Sequence, residues 1–572
     1  MMNLIDRIYF PRLMGELSPF ESWCLFFWRC CGMGIAEYVD EQWSDGAKRR
    51  CLFQRFASRR CGCFYYVELY SYNSHRHNRI NDYGPDMDVA VTRVVAIVGA
   101  GFSGTATAIN LLRHPGACPL RIHLIERGSE FGRGLAYART AYPYLLNVPA
   151  SRMSATSADP DEFLHYARVR NPQARGEDFL PRALYGGYLQ HLLQEASRRA
   201  AAGTSLQRMN AEVVNVSASA SGASLELATG VRLYADAVVL ALGSPLPKLP
   251  ESIRCSVTAP LLRRDPWNGA GSQLPRSGPL LVIGTGLSMA DIICEALSRD
   301  PNIEIHAISR HGLVPPSQTQ FRPDALGNDG GLLAQSAGST RRLVAGVRQL
   351  VAAADRDGGD WREVITFVRH QAPALWNGLG LAERTRFLRH VRAYWDIHRH
   401  RIPGAVHTRL EALRASGQLH VHAGRLSSLE ASGVGVRARW VERGSGQYRT
   451  LDAAEVVNCS GPDYDVTRSR DALWIDLLAR GLVVPDPLRL GIRTGPGGAL
   501  LMRDGGLSSR LFYVGPMLRT DHWEATSAAE LRVHTHRLAD KLRDLMAQLA
   551  GARPDRAEPH TRSPLDAFPF PG

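Results

Sequence analysis

Lysine is nearly missing from this chain. Only Lys48, Lys248 and Lys541 occur in 572 residues, so almost all of the 68 basic residues are arginine. The net charge is +13, which raises the question of a nucleic-acid partner. The arginines are scattered, and no dense basic run interleaves with aromatics. Nucleic-acid binders gather charge on one face, so no nucleic-acid partner is expected. The excess can still draw anionic substrates or cofactor phosphates. Long apolar runs are missing too. Nothing reaches the roughly 18 apolar residues that span a bilayer, and Trp23–Trp28 is closed by Arg29. The first residues lack the charged start, apolar middle and small-residue cleavage site of a secretion signal. The expectation is no membrane partner and a cytoplasmic location. C-x-x-C pairs are absent as well, which argues against a dithiol reductase and against a cysteine-rich zinc site. No metal is expected.

What is present is unevenly spread. Residues 1–92 hold 17 of the 45 aromatics and six of the ten cysteines: Cys24, Cys30, Cys31, Cys51, Cys61 and Cys63. No amphipathic period organises them. Residues 1–87 are therefore expected to be an atypical extension, either disordered or the product of a start codon assigned too early.

From Arg93 the pattern changes. Arg93–Val98 is a short apolar, β-branched run, followed by glycines and a helical stretch over Ser103–His114. Arg121–Glu126 reads as the next strand. This is a β-α-β unit. Later strands are expected at Ala237–Leu242, Leu280–Ile283, Ile303–Ile308, Ala454–Asn458 and Leu511–Val514. Strands alternating with helices imply a parallel α/β sheet.

The first turn is Gly99-Ala100-Gly101-Phe102-Ser103-Gly104. Its G-x-G-x-x-G spacing is weak evidence alone, but here it follows a strand and opens a helix. Gly99 permits the tight turn, Gly101 lets the backbone approach a pyrophosphate, and Gly104 lets the helix pack on the sheet. Ser103 sits at the helix N-terminus, whose N–H groups and dipole favour phosphate. Glu126 closes the second strand, 22 residues beyond Gly104, where a carboxylate accepts from ribose hydroxyls. Gly243, after the strand at Ala237, and Gly515, before a helix, read as the places where the chain returns to the cofactor. A chain of this length returning to its first domain points to FAD.

A second turn repeats the design. Leu280–Ala290 carries Gly284, Gly286 and Ser288, with Met289 at the third glycine position. The strand after it ends in Ser309-Arg310 rather than in Asp or Glu. An arginine suits the 2′-phosphate that a carboxylate would repel, which favours NADPH over NADH.

The expected fold class is α/β, with two dinucleotide-binding (Rossmann-like) domains, a discontinuous FAD domain and a helical insertion. The boundaries read as 88–276 and 463–550 for the FAD-binding domain and 277–340 and 417–462 for the NAD(P)-binding domain. The insertion is 341–416, and 551–572 is a Pro-rich tail expected to be disordered.

Further segments carry a resemblance. They are Gly132-Arg133-Gly134-Leu135-Ala136-Tyr137, Leu145-Leu146-Asn147-Val148-Pro149, Pro181-Arg182 with Tyr185-Gly186, Tyr394 through Arg401, and Trp523-Glu524-Ala525-Thr526. Together they resemble the FAD/NAD(P)-binding family that includes FAD-dependent urate hydroxylase and the nitrosuccinate-forming aspartate N-monooxygenase. The resemblance runs from about Val89 to Leu549. It implies a flavoprotein monooxygenase architecture, using oxygen and a small polar substrate. It implies cofactor contacts at Arg133, Asn147 and Thr526. His398–Arg401 reads either as an anion-binding cluster or as a charged helix end packed between domains. Spacing assigns no catalytic residue. A flavin reductase or dehydrogenase without oxygen transfer, and a non-catalytic FAD-binding protein, remain as alternatives. Oligomeric state is open.

Overall fold

The computed structural model describes residues 55–57, 64–66, 92–114, 116–267, 278–319, 328–433 and 435–551. The chain divides into two compact units, Met1–Asp88 and Val89–Gly572. In the first, Arg55–Ala57 pairs antiparallel with Phe64–Tyr66. The expectations for the rest of 1–87, and for the tail after Gly551, lie outside the described residues.

The second unit opens with β1 (Arg93–Val98), α1 (Phe102–Arg113) and β2 (Leu120–Glu126). There follow α2 (Glu162–Arg168), α3 (Arg182–Arg198) and β3 (Ser205–Asn210). A three-stranded antiparallel meander comes next, of β4 (Val213–Ser219), β5 (Gly222–Leu227) and β6 (Arg232–Ala235), and leads into β7 (Ala237–Leu240). β8 (Leu280–Ile283), α4 (Leu287–Arg299) and β9 (Ile305–Ser309) form the second β-α-β unit. Helices α5 (Thr340–Arg356), α6 (Trp361–Asn377), α7 (Leu381–His390), α8 (Arg392–Arg399) and α9 (Gly404–Ala415) make the helical insertion. After it come β10 (Leu419–Ser432), β11 (Gly435–Glu442), β12 (Tyr448–Ala453) and β13 (Glu455–Asn458). The chain ends with α10 (Ala472–Ala479), β14 (Ala499–Leu501), β15 (Leu507–Tyr513) and α11 (Ala528–Gly551).

Two sheets result. The first has the order β14-β15-β7-β1-β2-β3, parallel except at β14. Two of its strands, β14 and β15, come from residues 499–513, so this domain is discontinuous. The second runs from the short Leu262–Arg263 strand through β13-β8-β9-β10-β11-β12. It is parallel through β10 and antiparallel beyond. The fold is the expected α/β pair of dinucleotide-binding domains.

β1 is apolar because both its faces are covered: Val95, Ala96 and Ile97 are fully buried. Continuous apolar runs are what a two-side-covered parallel strand needs. α1 packs on this sheet and against α3 and α11, and every residue from Phe102 to Leu112 is buried. Around β8 the core divides over the two faces of the sheet. Leu280 and Val282 face α4 and α9, while Leu281 and Ile283 face the β10–β12 side.

Candidate functional site

Both glycine turns sit at the C-terminal ends of parallel strands, where open α/β sheets bind ligands. At the first, the Gly99 N–H donates to Ile125 O (2.8 Å), and the Ala241 N–H donates to Val98 O (2.8 Å). The turn is thus stitched to the strands on both sides. Gly99 has φ +100°, and a Cβ there would lie 2.4 Å from Ala241 O. A Cβ at Gly104 would lie 1.9 Å from Gly99 O, so the helix lies against the turn itself. Gly101 is the N-cap of α1, with no side chain capping the helix and no acidic residue in its first turn. A Cβ at Gly101 would meet nothing closer than Gly134 Cα at 3.6 Å. By contrast, α5 and α6 are capped by Ser339 and Asp360. The first-turn N–H groups of α1 are left for an anion. Ser103 is buried in that first turn.

Glu126 is held in place by this turn. Its Oε2 accepts from the Ala100 N–H (2.7 Å) and its Oε1 from the Gly128 N–H (3.0 Å). Each carboxylate oxygen keeps a further lone pair for a ribose hydroxyl. The loop Gly132–Gly134 folds over the turn: the Gly132 N–H donates to Ala100 O (2.8 Å), and Gly134 lies against Gly101. Arg133 points inward from this loop and is buried. Its guanidinium donates to Gln190 Oε1, Tyr137 O and Ala183 O. Burial lowers its pKa. A Cβ on Gly186 would lie 2.7 Å from this guanidinium, which explains Tyr185-Gly186 in the family-like signature. Arg133 therefore braces the loop. Beneath it, burial pushes the Tyr137 phenol up to about 12.

Gly243 has φ +70°, and a Cβ on it would meet nothing within 4 Å. Gly515, φ +154°, follows β15, and the Val514 N–H donates to Leu240 O (3.0 Å). Both glycines therefore lie at the same edge as the first turn. Asn147 and Thr526 are half-buried and make no side-chain hydrogen bond to these turns among the described residues.

The second turn has the same build. The Gly284 N–H donates to Ile308 O (2.7 Å) and the Cys459 N–H to Ile283 O (2.7 Å). Gly284 has φ +106°, and its Cβ would lie 2.3 Å from Cys459 O. Gly286 caps α4 without a side chain, and a Cβ on it would meet nothing within 4 Å. Ser288 is half-buried in the first turn of that helix. Ser309 follows Ile308 as Glu126 follows Ile125. Its hydroxyl bonds Thr285 Oγ1 (2.9 Å) and accepts from the Gly312 N–H (2.9 Å). It does the bracing of Glu126 without a charge. Arg310 is exposed, and Arg443 lies alongside with its guanidinium against Arg310 O and the His311 ring.

One counterpart escaped the sequence reading. Gly461 follows Cys459 as Gly243 follows Ala241. It has φ +89°, and a Cβ on it would meet nothing within 4 Å. The signal was present in Cys459-Ser460-Gly461 after an apolar strand, matching Ala241-Leu242-Gly243. Burial raises the Cys459 thiol pKa, which suits a core position rather than a redox one.

The two halves are clasped by two polar pairs, one half-buried and one buried. Arg182 at the start of α3 bonds Asp291 on α4 (2.6 Å), and Tyr144 donates to Glu295 Oε2 (2.6 Å). Burial lifts the Asp291 carboxyl to about 6, although Arg182 pulls the other way. A second polar cluster docks the insertion. Glu524 accepts from Arg399 (2.6 Å) and from the Trp395 indole (3.0 Å). Burial disfavours its charge, but Arg399, His400 and Arg369 outweigh that and leave its pKa lowered. Arg399 is thus committed to packing, which favours the helix-end reading of His398–Arg401 over anion binding.

Residues 96–245 match a family described as FAD-NAD(P)-binding. The match spans β1 through β7, with Gly99, Glu126 and Gly243 inside it. No curated protein matches significantly. Among solved structures, the chain is similar to the ornithine N-hydroxylase of Kutzneria sp. 744, in a complex with reduced FAD, NADP+ and L-ornithine. The TM-score is 0.55 at 16% identity, over 79% of this chain and 99% of that one. L-lysine 6-monooxygenase from Pseudomonas syringae gives 0.52 at 19% identity, over 79% and 99%. A cadaverine monooxygenase from Erwinia amylovora gives 0.52 at 14%, over 83% and 99%. At these identities the likeness is one of fold.

Proposed function

We propose that this chain binds FAD on the first glycine turn and NADPH on the second, and transfers oxygen to a small polar molecule. One observation carries the reading. The chain builds a strand–glycine–helix turn twice and, at the same register position after it, places Glu126 in the first and Ser309 in the second. A carboxylate suits ribose hydroxyls, whereas a neutral hydroxyl beside Arg310 suits a 2′-phosphate. The residues present fit both groups. The uncapped starts of α1 and α4 leave N–H groups for the pyrophosphates, and Gly101 and Gly286 leave room for close approach.

When bound, FAD supplies the route by which hydride from NADPH becomes reducing power toward oxygen. The chain's own work is positioning. Glu126 fixes the Ala100 and Gly128 amides while keeping lone pairs for the ribose. Arg133 braces the loop that covers the turn. Arg182–Asp291 and Tyr144–Glu295 hold the two nucleotide halves in register, and holding reactants in register is itself a large rate effect. Gly243, Gly461, Gly515, Asn147 and Thr526 complete the cofactor contacts in this reading. Solved proteins of this fold hydroxylate ornithine, lysine and cadaverine, which supports oxygen transfer over simple reduction. Kinship with urate hydroxylase and aspartate N-monooxygenase rests on the signature segments. Among the described residues no helix is long and apolar enough to cross a membrane.

The test is NADPH oxidation by the purified yellow protein, with oxygen uptake and hydrogen peroxide measured together. Small acids, amines and purines are screened as stimulants. A stimulant that is hydroxylated with little peroxide release supports the reading. Reduction without oxygen incorporation for any of them makes the chain a reductase. No reduction by either nicotinamide removes the catalytic reading.

A further inference from the structure

The second sheet carries a side-chain cluster that the nucleotide chemistry does not use. β9 and β10 pair in parallel with His306 opposite His420 and Ile308 opposite His422. Alternation puts His420 and His422 on one face of β10, beside His306. The three imidazoles stack. His306 and His420 have ring centroids 4.7 Å apart at 24°, and His306 and His422 are 5.2 Å apart at 5°. The Nε2 atoms of His306 and His420 both converge on Glu304 Oε1, at 2.9 and 3.4 Å. The other nitrogen of His306, Nδ1, lies 2.9 Å from His422 Nε2. His422 in turn rests against the Trp440 ring.

We propose that Glu304, His306 and His420 bind a borderline divalent transition-metal ion of the Zn2+ class, with His422 positioning the His306 ring. The three ligand atoms lie within 4.8 Å of one another, so one ion can reach all of them with small side-chain rotations. Two imidazoles and a carboxylate are a recognised three-ligand set that leaves a fourth position for water. Hard ions such as Mg2+ prefer all-oxygen sets, so the donor set selects against them. A ligating histidine normally bonds a partner through its other ring nitrogen, which fixes the tautomer and the ring angle. The His306–His422 contact supplies that feature, and Trp440 backs it. His420 and Glu304 are both partly exposed, so the ion can reach the site from solvent. The ion would tie β9 to β10 below Ser309 and Arg310. The proposal stands independently of the flavin reading.

The experiment uses the full chain as purified, stripped with a chelator and dialysed. Zn2+ is titrated by calorimetry, and Co2+ by visible absorption. The expected result is one saturable Zn2+ site that weakens at least 10-fold in His420→Ala and in Glu304→Gln. His422→Phe is expected to weaken it about 10-fold, the lower end of what an outer partner contributes. Glu304 is on the surface, so Glu304→Gln tests the site without endangering the fold, and unchanged far-UV circular dichroism and thermal melts check each variant. Mg2+ should not compete. Co2+ should give the intense bands of a low-symmetry nitrogen and oxygen site, lost in His306→Gln. Identical isotherms for the wild type and the Glu304 and His420 variants would overturn the proposal. So would a Co2+ spectrum dominated by thiolate charge transfer, which would place the ion on cysteines.

Discussion

In the first nucleotide half the third turn position is Gly104, and a Cβ there would strike Gly99 O at 1.9 Å. In the second half the same position is Met289, fully buried in the core. One turn therefore seats its helix tightly, and the other holds it off. A glycine fingerprint thus encodes two separable things: strand-to-strand fit at its first glycine and helix-to-strand fit at its third. Gly99 and Gly284 share the first requirement, against Ala241 O and Cys459 O. Only the first half has the second.

The largest expected effect breaks this contrast directly. Gly104→Ala should cost roughly 3 kcal/mol or more, because backbone has to move to admit the methyl. The protein should lose flavin and soluble yield. Met289→Gly should also destabilise, for the opposite reason: it empties a filled core at about 3–5 kcal/mol. Thermal melts with flavin release as a second readout check both. A Gly104→Ala protein that melts like wild type would show that the two halves seat their helices alike.

Gly101→Val comes next. The position is open on the protein side, so the fold should survive while FAD content falls steeply. Calorimetry of the apoprotein separates a lost ligand from a lost fold.

These contrasts mark how much was readable in advance. The strands Arg93–Val98 and Leu280–Ile283 fell where their apolar runs put them, because both faces of each are buried. The antiparallel extension β10–β12 was not anticipated, although Val436-Arg437-Ala438-Arg439-Trp440 alternates buried and exposed, as a strand with one solvent-facing side should. The meander β4–β6 was missed because its strands are short, serine-rich and half-exposed. Gly99, Gly101 and Gly104 were legible from their spacing between a strand and a helix, even though the clash that demands Gly99 is with the distant Ala241 O. The roles of Asp291 and Glu524 were not, because each is set by a partner far along the chain, Arg182 and Arg399.

Smaller effects sharpen the Glu126 and Ser309 comparison. Removing the Glu126 carboxylate in Glu126→Ala should lose roughly 1.5–3 kcal/mol, or about 10- to 100-fold in FAD affinity. In the second half, Ser309→Asp should install the missing charge and shift preference toward NADH. Arg310→Ala should raise the KM for NADPH by about 10-fold and leave NADH nearly unchanged, the size of one charge-assisted contact. Equal changes for both coenzymes would show that neither residue reads the 2′-phosphate.

The last comparison lies in the clasp between the halves. Asp291 is nearly buried, and burial raises its carboxyl from 3.8 to about 6 against the pull of Arg182. A carboxyl whose folded pKa is raised binds its proton more tightly when folded. Below pH 3.8 it is protonated in both states and contributes no pH dependence. Between there and about pH 6 the unfolded chain releases the proton first, so folding loses stability as pH rises. Above about pH 6 both states are ionised and the slope vanishes. Asp291→Asn removes this titration while keeping a hydrogen-bond acceptor for Arg182. The stability of the wild type relative to Asp291→Asn should therefore fall between about pH 4 and pH 6 and level off beyond. Denaturant melts of both proteins across that range measure it. A difference that instead grows with pH would mean that Arg182 outweighs burial. The two halves would then be held by a true ion pair rather than by a carboxyl that ionises reluctantly.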